Sequence, residues 1–150
     1  MKDYRGNIIS DFGRLDNVIR HLREYQRELA QENYHDSVLS ASAYQLQHLY
    51  TGLEKIIEKS LASKNIKVEK SASYHKRLLK TYVENFHLDE NEIVFVADLL
   101  AFRHFTRSAY GSELDATLIR RKVTLALTVW DGIKEKISVQ MQLDRWSAER

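Results

Sequence analysis

Residues 10–32 have the sequence SDFGRLDNVIRHLREYQRELAQE, and this stretch decides the fold class. Apolar side chains recur there at steps of three and four residues, which is the period of an amphipathic α-helix, and Arg and Glu occupy the opposite face. The stripe consists of Leu15, Val18, Ile19, Leu22, Tyr25 and Leu29. The spacing predicts a helix that buries one face in a core and exposes the other.

The same reasoning predicts four further helices, over residues 36–62, 75–86, 91–109 and 113–142. Asp36 and Ser37 are expected to cap the second helix, and the small residues at 40–43 would let a neighbouring helix approach closely. The polar stretch SKNIKVEKSAS before the third helix is predicted to be a loop. Long helices joined by short connections predict an all-α fold, an antiparallel bundle of four to five helices that forms one domain over residues 1–150.

The composition narrows the class of protein. The chain is 43% hydrophobic and 29% charged and contains no proline and five glycines, which suits a soluble helical domain. The absence of cysteine excludes disulfides, thiolate metal sites and thiol nucleophiles. A net charge of +2 does not by itself indicate nucleic-acid binding, which would need a local basic patch. Without an apolar leader or a run long enough to span a bilayer, we expect a cytoplasmic protein with no membrane partner.

The fourth predicted helix ends in RHFTRSAYG, which starts at Arg103 and concentrates groups that bind phosphate or transfer protons. On a helix, Arg103, Arg107 and Tyr110 share one stripe, and His104 and Ser108 share the adjacent one. Two guanidinium groups and a phenol suit a phosphodiester, and His104 is able to transfer a proton near neutral pH. The alternative is a solvated helix C-terminus, where cations complement the helix dipole.

The same helix is apolar around most of its circumference, which is typical of a helix buried centrally or under a partner subunit. On the second helix, His48, Tyr50 and Glu54 lie within two turns, and Glu54 is a candidate to orient an arginine of a neighbouring helix. A solvated glutamate is the alternative. The stretch SYHKRLL is either a basic patch or a specific site. No HExxH, acidic cluster with metal spacing or glycine-rich phosphate loop occurs, so we expect neither a metal nor a nucleotide cofactor.

Three segments, in order, resemble the HEPN superfamily and, within it, the HepT-like ribonuclease toxins. The stretch FRHFTRSAYGSELD resembles the family's motif of an Arg, a polar residue, several spacers, a His, one residue and a Tyr, with Arg103, His104 and Tyr110 in three of these positions. The stretch AYQLQHLYTGLEKIIE resembles the family's second helix, where YTGxE recurs, and SASYHKRLL is similar to its WH-x-x-LL segment.

This resemblance implies a helical bundle that forms a homodimer through the motif helix, with both motif copies in one composite cleft. It implies metal-independent cleavage of tRNA or mRNA without a cofactor, in which Arg103 stabilises the charge as the ribose 2′-hydroxyl attacks the phosphate. Arg107, Glu54 and His48 would support the site. The resemblance further implies an MNT-type nucleotidyltransferase antitoxin that transfers AMP to Tyr110.

The chain departs from the family at residue 108, where Ser108 replaces the catalytic histidine. Serine does not titrate near neutral pH, and loss of a general acid or base lowers a rate by ~10²–10⁴-fold. Three explanations are open: a natural protein that has lost or altered its activity but keeps RNA or partner binding, a serine introduced because the active toxin harms its expression host, or residual proton transfer by His104. The alternative functions are a non-catalytic binding module for a nucleotidyltransferase or a nucleotide, and a structural helical protein without a site.

Overall fold

The computed structural model describes residues 3–98 and 115–143. These residues form five α-helices and no β-strand, which confirms the predicted all-α class. Four of the helices are α1 (Tyr4–Leu29), α2 (Asp36–Ser63), α3 (Tyr74–Phe86) and α5 (Ala116–Gln140). Between the last two lies α4, which begins at residue 90 and is described as far as residue 98. The predicted homodimer through the motif helix stays a prediction.

The first helix begins earlier than the apolar stripe indicated. Asp3 is its N-cap, and the Asp3 carboxylate accepts a hydrogen bond from the Gly6 amide at 3.0 Å. Ile8 and Phe12 are buried and extend the stripe by two turns towards the N-terminus. The predicted start at residue 10 was wrong because a single short side chain, rather than a run of apolar residues, sets the beginning of this helix.

The expected caps of the second helix were also wrong. The N-cap is His35, whose Nδ1 accepts a hydrogen bond from the Ser37 amide at 3.1 Å, and Asp36 is the first helical residue. The His35 imidazole therefore provides the hydrogen-bond acceptor at the start of α2 that was expected from the side chain of Asp36 or Ser37.

The helices α1 and α2 pack closely against each other and run antiparallel, as shown by contacts between the first half of α1 and the second half of α2. Lys59 donates to Asp11 at 2.6 Å, and Leu15 lies against Gly52 so closely that a Cβ at residue 52 would overlap the Leu15 Cδ2 atom. At the other end of α2, the small residue Ser42 is fully buried. Glycine at residue 52 thus sets the separation of the two helices.

The fifth helix runs antiparallel to α1 and closes the core. The Trp130 indole donates to Asp16 at 3.0 Å, and Gln26 donates to Thr124 at 3.3 Å. The largest fully buried side chains come from all five helices and include Trp130, Tyr82, Phe86, Phe95, Ile8 and Leu49. Within the described ranges, no helix has the length and apolar character needed to cross a bilayer.

Candidate functional site

Three ionisable side chains from α2 and α3 meet at the edge of the bundle. The Nδ1 atom of His75 lies 3.0 Å from a carboxylate oxygen of Glu54 and 3.1 Å from the Tyr50 hydroxyl. We refer to Tyr50, Glu54 and His75 as the polar cluster. It couples a carboxylate, an imidazole and a phenol, which are groups that accept and donate protons.

Helix geometry explains how α2 presents its part of the cluster. Tyr50 and Glu54 are four residues apart and therefore project from the same face. The apolar residues Leu53 and Ile57 lie beside them and are buried, which anchors this face in the core. Gly52, which packs closely against Leu15 of α1, lies between the two polar residues in the sequence, so this contact holds the segment that carries them.

His75 lies in the first turn of α3, and a second hydrogen bond between α3 and α2 holds this turn in place. The Tyr74 hydroxyl donates to the carboxylate of Glu58, one turn beyond Glu54 on α2. Burial, together with the neighbouring Glu58, raises the pKa of Tyr74 well above its usual value, so this phenol stays protonated and remains a donor. The Lys70 ammonium lies 4.5 Å from the Tyr74 ring centre and covers it.

The polar cluster is partly withdrawn from water. The side chain of Glu54 is 12% exposed and that of His75 is 28% exposed. Nδ1 of His75 lies within hydrogen-bond distance of both the Glu54 carboxylate and the Tyr50 hydroxyl, and these two contacts orient the imidazole ring.

An open groove of about 1020 Å³ runs beside the cluster along α3. Its apolar part is formed by Leu79 and Val83 of α3 together with Ile93 and Ala97 of α4. Its remaining lining residues include three exposed cations, Lys76, Arg77 and Lys80, and one exposed carboxylate, Glu84. We refer to this surface as the basic groove.

His75 connects the basic groove to a smaller pocket. That pocket is lined by Tyr50, Glu54 and His75 and by apolar side chains that include Val96 of α4. The fourth helix therefore contributes to both cavities. It is also the helix that precedes the motif stretch in the sequence, since Arg103 follows Val96 by seven residues.

The beginning of α4 is held firmly against α5. Asp89 and Glu92 form a reciprocal capping box, in which the Asp89 carboxylate accepts from the Glu92 amide at 2.8 Å and the Glu92 carboxylate accepts from the Asp89 amide at 3.0 Å. Glu92 is 2% exposed and forms an ion pair with Lys136 of α5. The hydrogen bond from the Glu92 amide and the nearby Lys136 lower the pKa of Asp89.

Two oxygens at this junction remain without a hydrogen-bond partner among the described residues. They are the second carboxylate oxygen of Glu92 and the hydroxyl of Tyr82, and both are buried. Burial raises the pKa of Tyr82 well above its usual value, and the nearby Glu92 carboxylate acts in the same direction. The neutral phenol is therefore the form present in the folded protein.

The structure separates the two site residues that were predicted on α2. Glu54 lies in the polar cluster, whereas His48 is exposed and packs edge-on against Tyr44, with a ring-centre distance of 4.4 Å. Six residues separate them, so they project about 120° apart around the helix axis. The role proposed for His48 stays a prediction.

The motif residues themselves are not described. Arg103, His104, Arg107, Ser108 and Tyr110 lie outside residues 3–98 and 115–143. The sequence interpretation noticed Tyr50 and His75 but gave neither a role. The signal that pointed to them was their place in the segments YTGLE and SYHKRLL, and the contact between these segments became visible only in three dimensions.

Fold and site together define an all-α protein in which three ionisable side chains, the polar cluster, lie beside a basic groove. The HepT-like protein family matches residues 41–143, and the chain belongs to this family of the HEPN superfamily. Membership indicates a toxin-like protein of the HEPN type. The matched range contains the polar cluster and the stretch RHFTRSAYG. No curated protein and no solved structure matches the chain.

Proposed function

We propose that this protein is the toxin of a toxin–antitoxin pair and a metal-independent endoribonuclease whose rate is lowered by Ser108. The observation that carries this proposal is the family match over residues 41–143, which includes the polar cluster, the basic groove and the motif stretch. A net charge of +2 does not by itself indicate nucleic-acid binding, which needs a local basic patch. The cations of the basic groove form such a patch.

The chemistry assigned to the motif follows from its side chains. The guanidinium of Arg103, with Arg107 in support, binds the phosphodiester and stabilises the charge that develops as the ribose 2′-hydroxyl attacks. His104 is the polar neighbour of this arginine. Ser108 does not replace imidazole as an acid or base, which accounts for a lowered rate.

Regulation is proposed to act on Tyr110. An MNT-type nucleotidyltransferase antitoxin transfers AMP to this phenol, and the added bulk and negative charge repel RNA phosphate from the cleft. The proposal includes a homodimer that forms through the motif helix. Val94 of α4 is 48% exposed, and its burial against a partner subunit would be favourable.

The test compares the chain with its Ser108→His variant on tRNA and mRNA fragments without added metal. We expect the histidine variant to cleave RNA faster and to slow cell growth more, and Arg103→Ala in the same background to abolish both effects. If the Ser108→His variant neither cleaves RNA nor slows growth, the ribonuclease proposal is wrong.

The antitoxin proposal has a separate readout. Co-expression with a neighbouring nucleotidyltransferase gene should add the mass of AMP to the peptide that contains Tyr110, and Tyr110→Phe should prevent the addition. Mass spectrometry that finds the peptide unmodified in the presence of an active partner would contradict this part of the proposal.

The second candidate function is a non-catalytic module that binds a nucleotidyltransferase or a nucleotide, and Ser108 is the observation that favours it. In that case Arg103 and Arg107 bind phosphate only. This alternative predicts that Ser108→His leaves RNA intact while Arg103→Ala weakens binding of the partner or nucleotide, measured by calorimetry.

A further inference from the structure

We propose that the basic groove binds an acidic amphipathic helix of a protein partner, which thereby competes with RNA for the cations of the groove. The docking of the helix is inferred from the apolar floor and the charges of the groove. The competition rests on the proposed ribonuclease function, in which RNA binds the same cations.

The floor of the basic groove consists of two apolar pairs, one from each of two neighbouring helices. Leu79 and Val83 belong to α3, and Ile93 and Ala97 belong to α4. The members of each pair are four residues apart and therefore lie on the same face of their helix. Leu79, Val83 and Ile93 pack against the core but remain partly exposed. A third helix that places an apolar face between α3 and α4 would bury the rest of this floor, which is the helix-in-groove mode of recognition.

The rim of the groove defines the charge of the partner. Lys76, Lys80 and Glu84 follow one another at steps of four residues along α3, and Arg77 lies next to Lys76. All four side chains are exposed. Carboxylates on the flank of a bound helix would pair with the three cations, whereas Glu84 favours a neutral or basic residue at the other end of that helix. This order of charges sets the direction in which the helix binds along α3.

A second copy of this chain suits the groove less well than an acidic partner. The two subunits of a symmetric dimer use the same surface patch. An interface over the groove would therefore bring Lys76, Arg77 and Lys80 towards the same three cations of the partner subunit. Like charges placed opposite each other disfavour such a contact.

The floor of the groove also suits a protein helix better than nucleic acid. Proteins that hold single strands by their bases stack those bases on aromatic side chains. Among the described residues that line the groove, the imidazole of His75 is the only ring, and the floor is aliphatic. RNA phosphates are therefore expected to bind the exposed cations of the rim without filling the floor. Because both ligands use Lys76 and Lys80, binding of one should exclude the other.

The experiment selects helical peptides from a displayed library and measures their affinity for the full chain. Each peptide has about 18 residues, which is long enough to form a helix. Leucine occupies one face at steps of three and four residues, and the flanking positions are randomised among Glu, Lys, Gln and Ser. We expect the selected peptides to carry glutamate on their flanks and to bind more weakly as the salt concentration rises. A selection that yields no binder, or binders with basic flanks, would refute the proposal.

Charge reversal locates the binding surface. The double variant Lys76→Glu, Lys80→Glu should lower the affinity for the selected peptides by ~10-fold or more. Peptides whose glutamates are exchanged for lysines should bind this variant instead. Arg23→Glu with Arg27→Glu on α1 is the matched control, because these cations are exposed, have the same spacing and do not line the groove. If the control weakens binding equally, or if the exchanged peptides do not bind, the proposed surface is wrong.

Ala97→Gln tests the floor independently of the charges. Ala97 is exposed, and glutamine there would fill part of the groove without changing any cation. We expect peptide affinity to fall by ~10-fold or more, while RNA binding through the rim stays unchanged. Circular dichroism verifies that each variant is folded. Unchanged peptide affinity in Ala97→Gln would show that the helix does not enter the groove.

Competition with an RNA fragment separates this inference from the proposed function. We expect a selected peptide to displace RNA from the chain and to slow cleavage by the Ser108→His variant. If RNA is bound and cleaved but no peptide occupies the groove, or if peptide and RNA bind together, the inference is refuted and the ribonuclease function stands. If a peptide occupies the groove but Ser108→His neither binds nor cleaves RNA, the ribonuclease function and the competition are refuted, and the docking of an acidic helix stands.

Discussion

Replacing Gly52 by alanine tests the close packing of α1 against α2. The added methyl group would overlap Leu15, which is 3% exposed and has little room to move. Alanine favours a helix over glycine by ~1 kcal/mol, whereas overpacking a well-filled core costs ~1–3 kcal/mol. We therefore expect Gly52→Ala to lower the free energy of unfolding by up to about 2 kcal/mol.

Gly13→Ala is the matched control for this substitution. Gly13 lies on the exposed side of α1, and a Cβ built there meets no atom within 4 Å. Alanine should therefore stabilise the protein by ~0.5–1 kcal/mol through helix propensity alone. The two variants should shift the urea midpoint in opposite directions, with an unchanged m value.

A double-mutant cycle identifies the cause. Leu15→Ala removes the side chain that the new methyl group would meet, so its cost should be smaller in the Gly52→Ala background than in the parent. The reasoning is refuted if Gly52→Ala stabilises the chain as much as Gly13→Ala does, or if the effects of Gly52→Ala and Leu15→Ala simply add.

Three further sets of substitutions test other contacts. Asp89→Ala should lower the free energy of unfolding at neutral pH, because it removes the cap of α4. Folding lowers the pKa of Asp89, so the ionised carboxylate contributes fully to the free energy of unfolding above the pKa of the unfolded state, which is about 4. This contribution disappears as the pH falls through the lower pKa of the folded state. Urea denaturation curves of Asp89→Ala and of the unchanged protein should therefore converge in acid. Asp16→Ala leaves the buried Trp130 indole without its acceptor and should cost ~1–3 kcal/mol, whereas Asp16→Asn, which keeps an oxygen, should cost less when both are measured by denaturation. Charge reversal at Lys76 and Lys80 should weaken RNA binding and flatten its dependence on salt while leaving the urea midpoint nearly unchanged, and an unaltered salt slope would exclude the basic groove as the RNA surface.

The all-α fold was predictable because its evidence is local. The stripe of Leu15, Ile19, Leu22 and Leu29 follows one helical period, and all four side chains are buried. The helix ends were less predictable, because one side chain decides each of them. Asp3 is the N-cap of α1 and His35 is the N-cap of α2. Neither residue belongs to an apolar pattern, so the hydrophobic periodicity does not show where these helices begin.

The polar cluster was predictable only in part, for a different reason. Glu54 was identified as a candidate to orient an arginine of a neighbouring helix, whereas the structure places the imidazole of His75 next to it. Twenty-one positions separate these residues in the sequence, and their contact depends on how α3 is docked onto α2. A periodic pattern shows which face of a helix is buried but does not show which residue of another helix meets it.

The buried junction of Tyr82 and Glu92 has a consequence for the evolution of this family. Because the Tyr82 hydroxyl has no partner among the described residues, exchange for phenylalanine would remove an unsatisfied group without opening a cavity. Stability alone therefore favours phenylalanine at residue 82, and without another constraint the hydroxyl should be lost. If homologues nevertheless retain tyrosine there, selection is acting on something other than the folding free energy, and the start of α4 is where its effect should be sought.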